Sequence, residues 1–290
     1  LDNIVVTAQK REEALQDVPI VVTALSEQLL EDNGVRDIKD LQSLVPGLTV
    51  TSTQSESLTT ARIRGIGTVG DNAGLESSVG VVIDGVYRPR NGVGFGDLGE
   101  LERIEVLKGP QGTLFGKNTS AGVINVVTKR PSYQQRAEAE ITIGNYGAVG
   151  VSGSYSDDFN DMAAFRLYAA KRKRDGFYDV GTGPGPRAEK EDNDLGYFTV
   201  RGQLLAEPTP ELTARLILDY TERDENCCAA TQLFVGQATN SRANLINQVR
   251  PGSIDTTATP FDRQALSNRS TRQDVTDQGA SLQLDYDLND

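Results

Sequence analysis

The second half of the chain alternates between apolar and polar positions. In residues 163–172, Phe165, Leu167 and Ala169 are separated by polar residues such as Arg166. A period of two predicts antiparallel β-strands with one apolar and one polar face. Runs of about ten residues also match the length that a tilted membrane strand needs. The predicted strands are 137–143, 149–156, 163–172, 197–206, 212–221 and 280–288.

The same alternation is typical of a soluble antiparallel sheet with one wet face, so the connections help to decide between the two. Short connections at 157–162 and 207–211 alternate with long ones at 173–196 and 222–278. A membrane barrel has tight turns on one side and extended loops on the other. We therefore expect barrel strands, with a soluble sheet as the alternative.

The first 130 residues have a different pattern, in which short β-branched runs are mixed with helical spacing. Ser26 is the expected N-cap of a short helix that ends at Gly34. Asp37 is the expected cap of a second helix, because the apolar residues from Ile38 to Val45 are spaced three or four apart. The pattern predicts a compact α+β domain. Its predicted strands are 18–25, 48–52, 61–65, 79–87, 102–109 and 122–130.

The composition excludes several classes of protein. The net charge is −12 and the pI is about 4.6, which argues against nucleic acid as a partner. The chain has no histidine, the commonest general base and metal ligand. Its only cysteines are the adjacent Cys227 and Cys228, which have no metal or redox spacing. They form a vicinal disulfide, pair with another region of a longer chain, or remain thiols.

A glycine-rich stretch, "GPQGTLFGKNTSAG" at 109–122, resembles a phosphate-binding loop. A P-loop has four residues between its two glycines and a Ser or Thr after the lysine. Here only three residues separate Gly112 from Gly116, and Asn118 follows Lys117. The next segment predicts a strand and offers no helix N-terminus to a phosphate. A nucleotide site is therefore not expected.

The two halves together resemble the TonB-dependent outer-membrane transporters, over the whole chain. The segment "DNIVVTA" resembles the TonB box, and the run "ERIEVLKGPQGTLFGKNTSAGVINVVTKRP" resembles a long and specific plug-domain motif. "RIRG" and "VVIDGVY" are further plug-like motifs. The resemblance implies an α+β plug domain followed by antiparallel transmembrane β-barrel strands. The implied divisions are a TonB box and periplasmic tail at 1–12, a plug at 13–131 and six barrel strands at 132–290.

The resemblance also implies the partners. In this family an inner-membrane complex powered by the proton gradient acts through TonB, which pairs with the box and remodels the plug. A short β-branched segment is suited to such pairing because it can add as an edge strand to a partner sheet. From the residues alone, a first plug strand or a tail is the alternative. The implied TonB-binding residues are Asp2, Asn3, Ile4, Val5, Val6, Thr7 and Ala8.

Two further sets of residues are predicted from the plug motifs. Ion pairs from charged plug residues are expected to hold the plug to the barrel. Residues beside the glycines at 92–96 are expected to meet an anionic ligand, although ordinary loop charges are the alternative. The expected lock residues are Arg62, Arg64, Glu102, Arg103 and Glu105, and the expected ligand contacts are Arg88, Arg90 and Asn91.

The expected function is energy-dependent uptake of a scarce, bulky ligand across the bacterial outer membrane. A ferric siderophore is the default of the family, and a glycan or aromatic nutrient is the alternative. Barrels of this family have about 22 strands, so we expect the chain to be the N-terminal portion of a larger receptor. A passive porin and a soluble β-rich hydrolase are the other classes considered. No catalytic residue, metal site or cofactor is predicted.

Overall fold

The computed structural model describes residues 5–11, 13–35, 37–52, 59–68, 75–89, 98–182, 185–229, 244–245, 247–249 and 260–288. Most of these residues are in β-strands, which form a five-stranded sheet, a six-stranded sheet and three smaller sheets. Within these ranges, no helix has both the length and the apolar character needed to span a membrane.

Among the described residues, the N-terminal part contains nine strands and two short α-helices. Single turns of 3₁₀-helix at Leu15–Asp17 and Asp40–Ser43 complete it. The strands are β1 (Val5–Val6), β2 (Glu13–Ala14), β3 (Val21–Ser26), β4 (Leu48–Ser52), β5 (Thr59–Ile63), β6 (Val79–Ile83), β7 (Val86–Arg88), β8 (Leu101–Lys108) and β9 (Gly122–Thr128), and the helices are α1 (Glu27–Asp32) and α2 (Gly112–Phe115).

The five-stranded sheet has the order β3-β8-β9-β6-β7, in which only β6 and β9 are parallel neighbours. Both of its faces are buried. Ile104 and Ile124 on the first face pack in a core with Leu30 of α1. Leu107 and Val123 on the second face pack against the N-terminal segment. A sheet covered on both sides explains why the strands are almost continuously apolar.

The two predicted helices differ in outcome. Ser26 caps α1 as expected, since its Oγ accepts the backbone N–H of Leu29 at 3.5 Å. The second helix is reduced to the 3₁₀ turn at Asp40–Ser43. Asp37 Oδ1 accepts the N–H of Lys39 at 2.7 Å and forms a turn before the 3₁₀ segment. Burial and the nearby Asp40 carboxylate raise the pKa of Asp37 to about 6.

The C-terminal part forms the six-stranded antiparallel sheet, with the order β10-β11-β12-β15-β16-β18. Three short strands in its long connections form a separate sheet. The strands are β10 (Arg136–Gly144), β11 (Ala148–Asn160), β12 (Ala163–Arg174), β13 (Tyr178–Gly181), β14 (Glu191–Asp192), β15 (Leu195–Thr209), β16 (Leu212–Asn226), β17 (Gln264–Leu266) and β18 (Arg272–Tyr286).

The predicted alternation of faces is confirmed in the six-stranded sheet. Leu167, Leu218 and Leu284 are 52%, 52% and 62% exposed on one face, which we call the outer face. The opposite, inner face carries buried polar residues such as Arg166 and Arg215. These inner residues contact the N-terminal part, as shown below. The outer face is therefore an apolar surface that no other described part of the chain covers.

The last strand begins earlier than predicted. The sequence placed it at 280–288, whereas β18 starts at Arg272 and pairs with β16 along its whole length. Residues 272–279, "RQDVTDQG", contain a single apolar side chain, that of Val275, and therefore lack the alternation that would identify a strand. The strand is defined there by backbone pairing with β16, which a single segment does not encode.

From the barrel expected above, we predict that Leu216→Arg destabilises the protein in a membrane by about 2–4 kcal/mol, because Leu216 is at the centre of the outer apolar band, the apolar residues of the outer face. Its pairing partner is Leu282, and Tyr220 and Tyr286 lie toward the two ends of the band. Membrane-assembly yield and urea unfolding of the protein measure the effect. Glu222→Arg is the control, since this residue is on the same face and strand but beyond Tyr220. Equal losses in the two variants would contradict the assigned band.

Candidate functional site

Residues 5–8 lie against the second face of the five-stranded sheet. Val6 and Ala8 are fully buried and pack in a core with Leu107 and Val123. Val5 is 43% exposed. The segment is thus a docked strand whose alternate side chains, at positions 6 and 8, enter the core. Asp2, Asn3 and Ile4, the other residues of the predicted TonB box, lie outside the described residues.

A buried carboxylate fixes this docked segment. Glu105 on β8 is fully buried, and its Oε1 accepts the backbone N–H of Thr7 at 2.7 Å and the Thr7 hydroxyl at 3.1 Å. Arg103 Nε donates to the same oxygen at 2.8 Å, and Asn125 Nδ2 donates to Oε2 at 3.2 Å. An ionised carboxylate is tolerated inside a protein when it is paired and hydrogen-bonded in this way. Glu105 therefore joins the N-terminal segment to two central strands.

Three residues of the predicted lock contact one another. Arg103 pairs with Glu102 and Glu105, and all three belong to β8. Within the described residues, the charges of Arg103 and Glu105 are paired inside the N-terminal part, and their expected role in holding it to the second sheet stays a prediction. Arg62 on β5 is half-buried and Arg64 is exposed, and no ion pair to the second sheet is described for either. Alternation along β8 could not show that a charged residue faces the N-terminal segment.

The contacts between the two sheets involve other residues. Glu100, just before β8, forms a bidentate ion pair with Arg166 on the inner face of β12, with N–O distances of 2.8 and 2.6 Å. Ser154 Oγ on β11 donates to the same carboxylate at 2.6 Å. Arg166 is 3% exposed. This pair joins the N-terminal part to two neighbouring strands through a nearly buried charge.

A second contact between the two sheets is centred on Asp84, in the turn between β6 and β7. Its carboxylate accepts the backbone N–H and the hydroxyl of Thr128, at 3.0 and 2.8 Å. Arg215 on β16 approaches the same carboxylate at 3.5 Å and also donates to Gln203 on β15 at 2.7 Å. Gln203 in turn donates to the carbonyl of Lys129 at 3.0 Å. The turn is thus bound to the inner face of two strands.

Arg88, predicted to contact a ligand, lies at a third contact between the N-terminal part and the six-stranded sheet. Its guanidinium pairs with Asp219 on β16 at 3.1 Å and with Asp277 on β18 at 3.4 Å. A cavity of about 330 Å³ lies beside these residues, between β7 and the inner face of β16 and β18. The charge of Arg88 is therefore neutralised by the second sheet. Arg90 and Asn91, the other predicted ligand contacts, lie outside the described residues.

Lys129, directly after β9, forms a fourth contact between the two parts. Its ammonium group contacts Glu27 of α1 at 2.8 Å and Glu138 of β10 at 3.1 Å. Burial lowers the pKa of Lys129, but hydrogen bonds to the two carboxylates outweigh this effect and raise it. Lys129 therefore stays charged and joins a helix of the N-terminal part to the first strand of the six-stranded sheet.

The glycine-rich stretch at 109–122 has a structural role in this arrangement. Helix α2 comes before the Gly-Lys pair, and the segment leads directly into β9. Lys117 pairs with the exposed Glu76 at 2.7 Å, and this hydrogen bond raises the lysine pKa. Gly122 has φ of +153°, and a Cβ there would lie 2.3 Å from the carbonyl oxygen of Leu107. Close backbone approach thus requires glycine at this position.

The described residues contain no group of three or more Asp, Glu, Cys or His side chains placed to hold a metal ion. The functional geometry is instead a polar contact between two sheets, and sequence reasoning missed most of its members. The alternation did assign Arg166, Arg215 and Asp219 to the polar face, which was a usable indication. Their partners Glu100 and Asp84 are in turns, where no periodicity marks them.

A mixed α+β domain attached by ion pairs to the polar face of a sheet of long antiparallel strands defines a class, the outer-membrane receptors with a plug. Residues 14–123 match the model of the TonB-dependent Receptor Plug Domain. The chain carries the plug domain of a TonB-dependent outer-membrane receptor, followed by antiparallel strands of the same receptor fold. We now call the N-terminal part the plug and the six long strands the barrel strands.

Comparison with known proteins gives relatives over most of the chain. It is 26% identical over 306 aligned residues to the iron-regulated outer membrane virulence protein of Vibrio cholerae, covering 99% of this chain and 42% of that protein. It is 28% identical over 181 residues to the vitamin B12 transporter BtuB of Vibrio vulnificus, covering 61% of this chain and 28% of the transporter. The chain therefore spans less than half the length of these relatives.

A solved structure shows the same fold. The ferric yersiniabactin uptake receptor FyuA of Yersinia pestis superposes with a TM-score of 0.67 at 21% identity, over 74% of this chain and 33% of that one. The fold class expected from the sequence, a plug followed by antiparallel barrel strands, is confirmed.

We predict that Glu100→Gln destabilises docking of the plug by about 3 kcal/mol in the full-length receptor, because it removes the bidentate countercharge of the nearly buried Arg166. Thermal unfolding and protease resistance of the plug measure the effect. Glu31→Gln is the matched control, since Glu31 is exposed and Lys129 keeps Glu27 and Glu138 as partners. We expect a loss of about 1 kcal/mol or less there. Similar losses at both positions would contradict the assignment of Glu100 as a main attachment point.

Proposed function

We propose that the chain belongs to a receptor that takes up a ferric siderophore across the outer membrane, with energy supplied through TonB. It is a transporter and not an enzyme in this proposal. Its divisions are a TonB-binding tail at 1–12, a plug at 13–131 and barrel strands at 132–290. The observation that carries the proposal is the docking of residues 5–8 on the plug sheet beneath Glu105.

The geometry of this segment suits a coupling element. Strand β1 pairs only with β2 among the described strands, so its other edge has no strand partner. Val5 is exposed while Val6 is buried. A partner strand can therefore add to the free edge while the segment is still docked, using main-chain hydrogen bonds. The Thr7 hydrogen bonds to Glu105 would then transmit a pull on residues 5–8 directly to β8.

The proposed ligand class comes from the relatives. One is an iron-regulated outer membrane protein, and the structural match is a ferric yersiniabactin uptake receptor. Another relative transports vitamin B12. Ferric siderophore is therefore the proposed substrate, and a cobalamin is the competitor that an experiment should include. The plug–barrel pairs, including Arg88 with Asp219 and Asp277, are proposed to hold the plug in place between transport events.

We predict that Val5→Pro in the full-length receptor abolishes energy-dependent uptake and leaves ligand binding to whole cells nearly unchanged. Proline removes a backbone donor and fixes φ, which prevents strand addition. Val5 is exposed, so its replacement removes little from the plug core. Radiolabelled ferric yersiniabactin and other ferric siderophores are the probes, with cyanocobalamin as the competitor. Binding and accumulation are measured on the same cells.

Val5→Thr is the matched control, since it keeps a β-branched residue and the backbone N–H. It should transport normally. Loss of both binding and uptake in Val5→Pro would mean that the plug is disrupted. Retention of both would show that residues 5–8 are not the coupling segment. Uptake of cyanocobalamin alone would contradict the siderophore assignment while leaving the coupling mechanism intact.

A further inference from the structure

The two long connections of the barrel sheet are joined to each other. Strand β13, in the connection after β12, lies between β14 of the same connection and β17 of the connection after β16. β13 and β17 pair in parallel, with Asp179 opposite Gln264. The two connections therefore form one folded unit at the long-loop side of the sheet. In the proposed receptor this side lies outside the cell, because outer-membrane barrels have their longer loops on the extracellular side.

A buried ion pair holds this unit together. The side chains of Arg187 and Asp192 are both fully buried and lie 2.8 Å apart. Arg187 also donates to the Thr271 hydroxyl at 2.7 Å and to the backbone carbonyls of Glu189 and Glu191, each at 2.9 Å. Arg187 and Asp192 belong to the first connection, whereas Thr271 ends the second. A buried charge with this many partners fixes the relative position of the two connections.

The segment 226–229, at the start of the second connection, is hydrogen-bonded to residues in and beside this ion pair. Four successive backbone N–H groups of this segment are hydrogen-bonded, three of them to the side chains of residues 192–194. The acceptors are Asp194 Oδ1 for Asn226, the Thr271 carbonyl for Cys227 at 3.1 Å, Asn193 Oδ1 for Cys228 at 3.3 Å and Asp192 Oδ1 for Ala229 at 3.0 Å.

The two cysteines of this segment form a vicinal disulfide. Cys228 has φ of +84°, in the region that favours glycine and is unfavourable for other residues. Cys227 is buried and Cys228 is half-buried. A bond between adjacent residues closes the shortest possible loop, so it restricts the unfolded chain very little. Its effect is therefore local: it restrains the backbone of the residues that carry the four bound N–H groups.

We propose that the Cys227–Cys228 disulfide is a reducible clamp that holds the second connection on the first. In the disulfide form, Cys228 keeps its positive φ and the N–H groups of 226–229 stay bound to residues 192–194 and 271. Reduction removes the restraint, and Cys228 relaxes to negative φ. The clamp would make the outer entrance of the receptor sensitive to thiols, and this location rests on the proposed function.

The reaction is an ordinary thiol–disulfide exchange. A thiolate of a small dithiol attacks the sulfur of Cys228, the less buried cysteine, and the Cys227 sulfur leaves as a thiolate. The second thiol of the reagent then attacks the mixed disulfide and releases Cys228. Two electrons pass from the dithiol, which becomes a cyclic disulfide, to the protein, which gains two thiols. Two equivalents of a monothiol give the same balance.

The test is hydrogen exchange of the purified full-length receptor in detergent, with and without dithiothreitol. We expect reduction to speed exchange of the 226–229 amides by about tenfold or more. Without the disulfide, the hydrogen bonds of these amides can break locally, while the rest of the folded unit stays intact. The double variant Cys227→Ser with Cys228→Ser should behave like the reduced receptor without any reagent. Trypsin cleavage after Arg269, whose carbonyl accepts from Arg187, should be faster in both. Unchanged exchange and cleavage after complete reduction would overturn the proposal.

A matched variant tests the backbone mechanism. Cys227→Ser with Cys228→Gly also lacks the disulfide, but glycine adopts positive φ without strain. It should therefore remain largely protected, and exchange as fast as in the double-serine variant would overturn the clamp. A polyethylene glycol maleimide too large to cross the outer membrane should label reduced intact cells. Labelling only after lysis would contradict the orientation in the proposed function, while exchange on purified receptor still decides the clamp.

Discussion

The alternation of faces along the barrel strands determines how the rest of the molecule must be held together. Because apolar residues occupy the outer face, the inner face is polar, and the plug has to bind a polar wall. It does so through side chains such as Glu100 and Asp84, which meet Arg166 and Arg215. Both hydrophobic core clusters of the described residues lie in the interior of the plug. The plug is thus a domain with its own core, attached to its surroundings by charge.

The stability of the plug and its attachment to the barrel strands therefore depend on different interactions. A core of apolar side chains resists unfolding of the plug in proportion to the area that it buries. Ion pairs at a polar wall depend more on geometry and on access of water, so each can be exchanged for hydration at moderate cost. Lys129, with Glu27 on one side and Glu138 on the other, illustrates the point. Loss of one partner leaves the other in place.

The sequence was informative where one residue type determines local structure, and uninformative where two distant segments meet. Period-two alternation predicted five of the six barrel strands to within a few residues, and the Ser26 cap was also predicted correctly. The alternation failed for residues 272–279, because pairing with β16 replaces it there. The predicted lock chose Arg103 and Glu105 for their charge. Which face of β8 they occupy, and that residues 5–8 cover it, are tertiary facts that no local pattern contains.

Glu105 shows how a docked segment can be both firm and releasable. Burial of Val6 contributes about 2 kcal/mol, and the two Thr7 hydrogen bonds to Glu105 add about 1–3 kcal/mol together. If residues 5–8 leave, Glu105 loses these two donors but keeps Arg103 and Asn125. The carboxylate is therefore not left as an uncompensated buried charge, which would make release far more costly. Detachment of the segment then requires only a few kcal/mol, and the remaining pair preserves the site to which it returns.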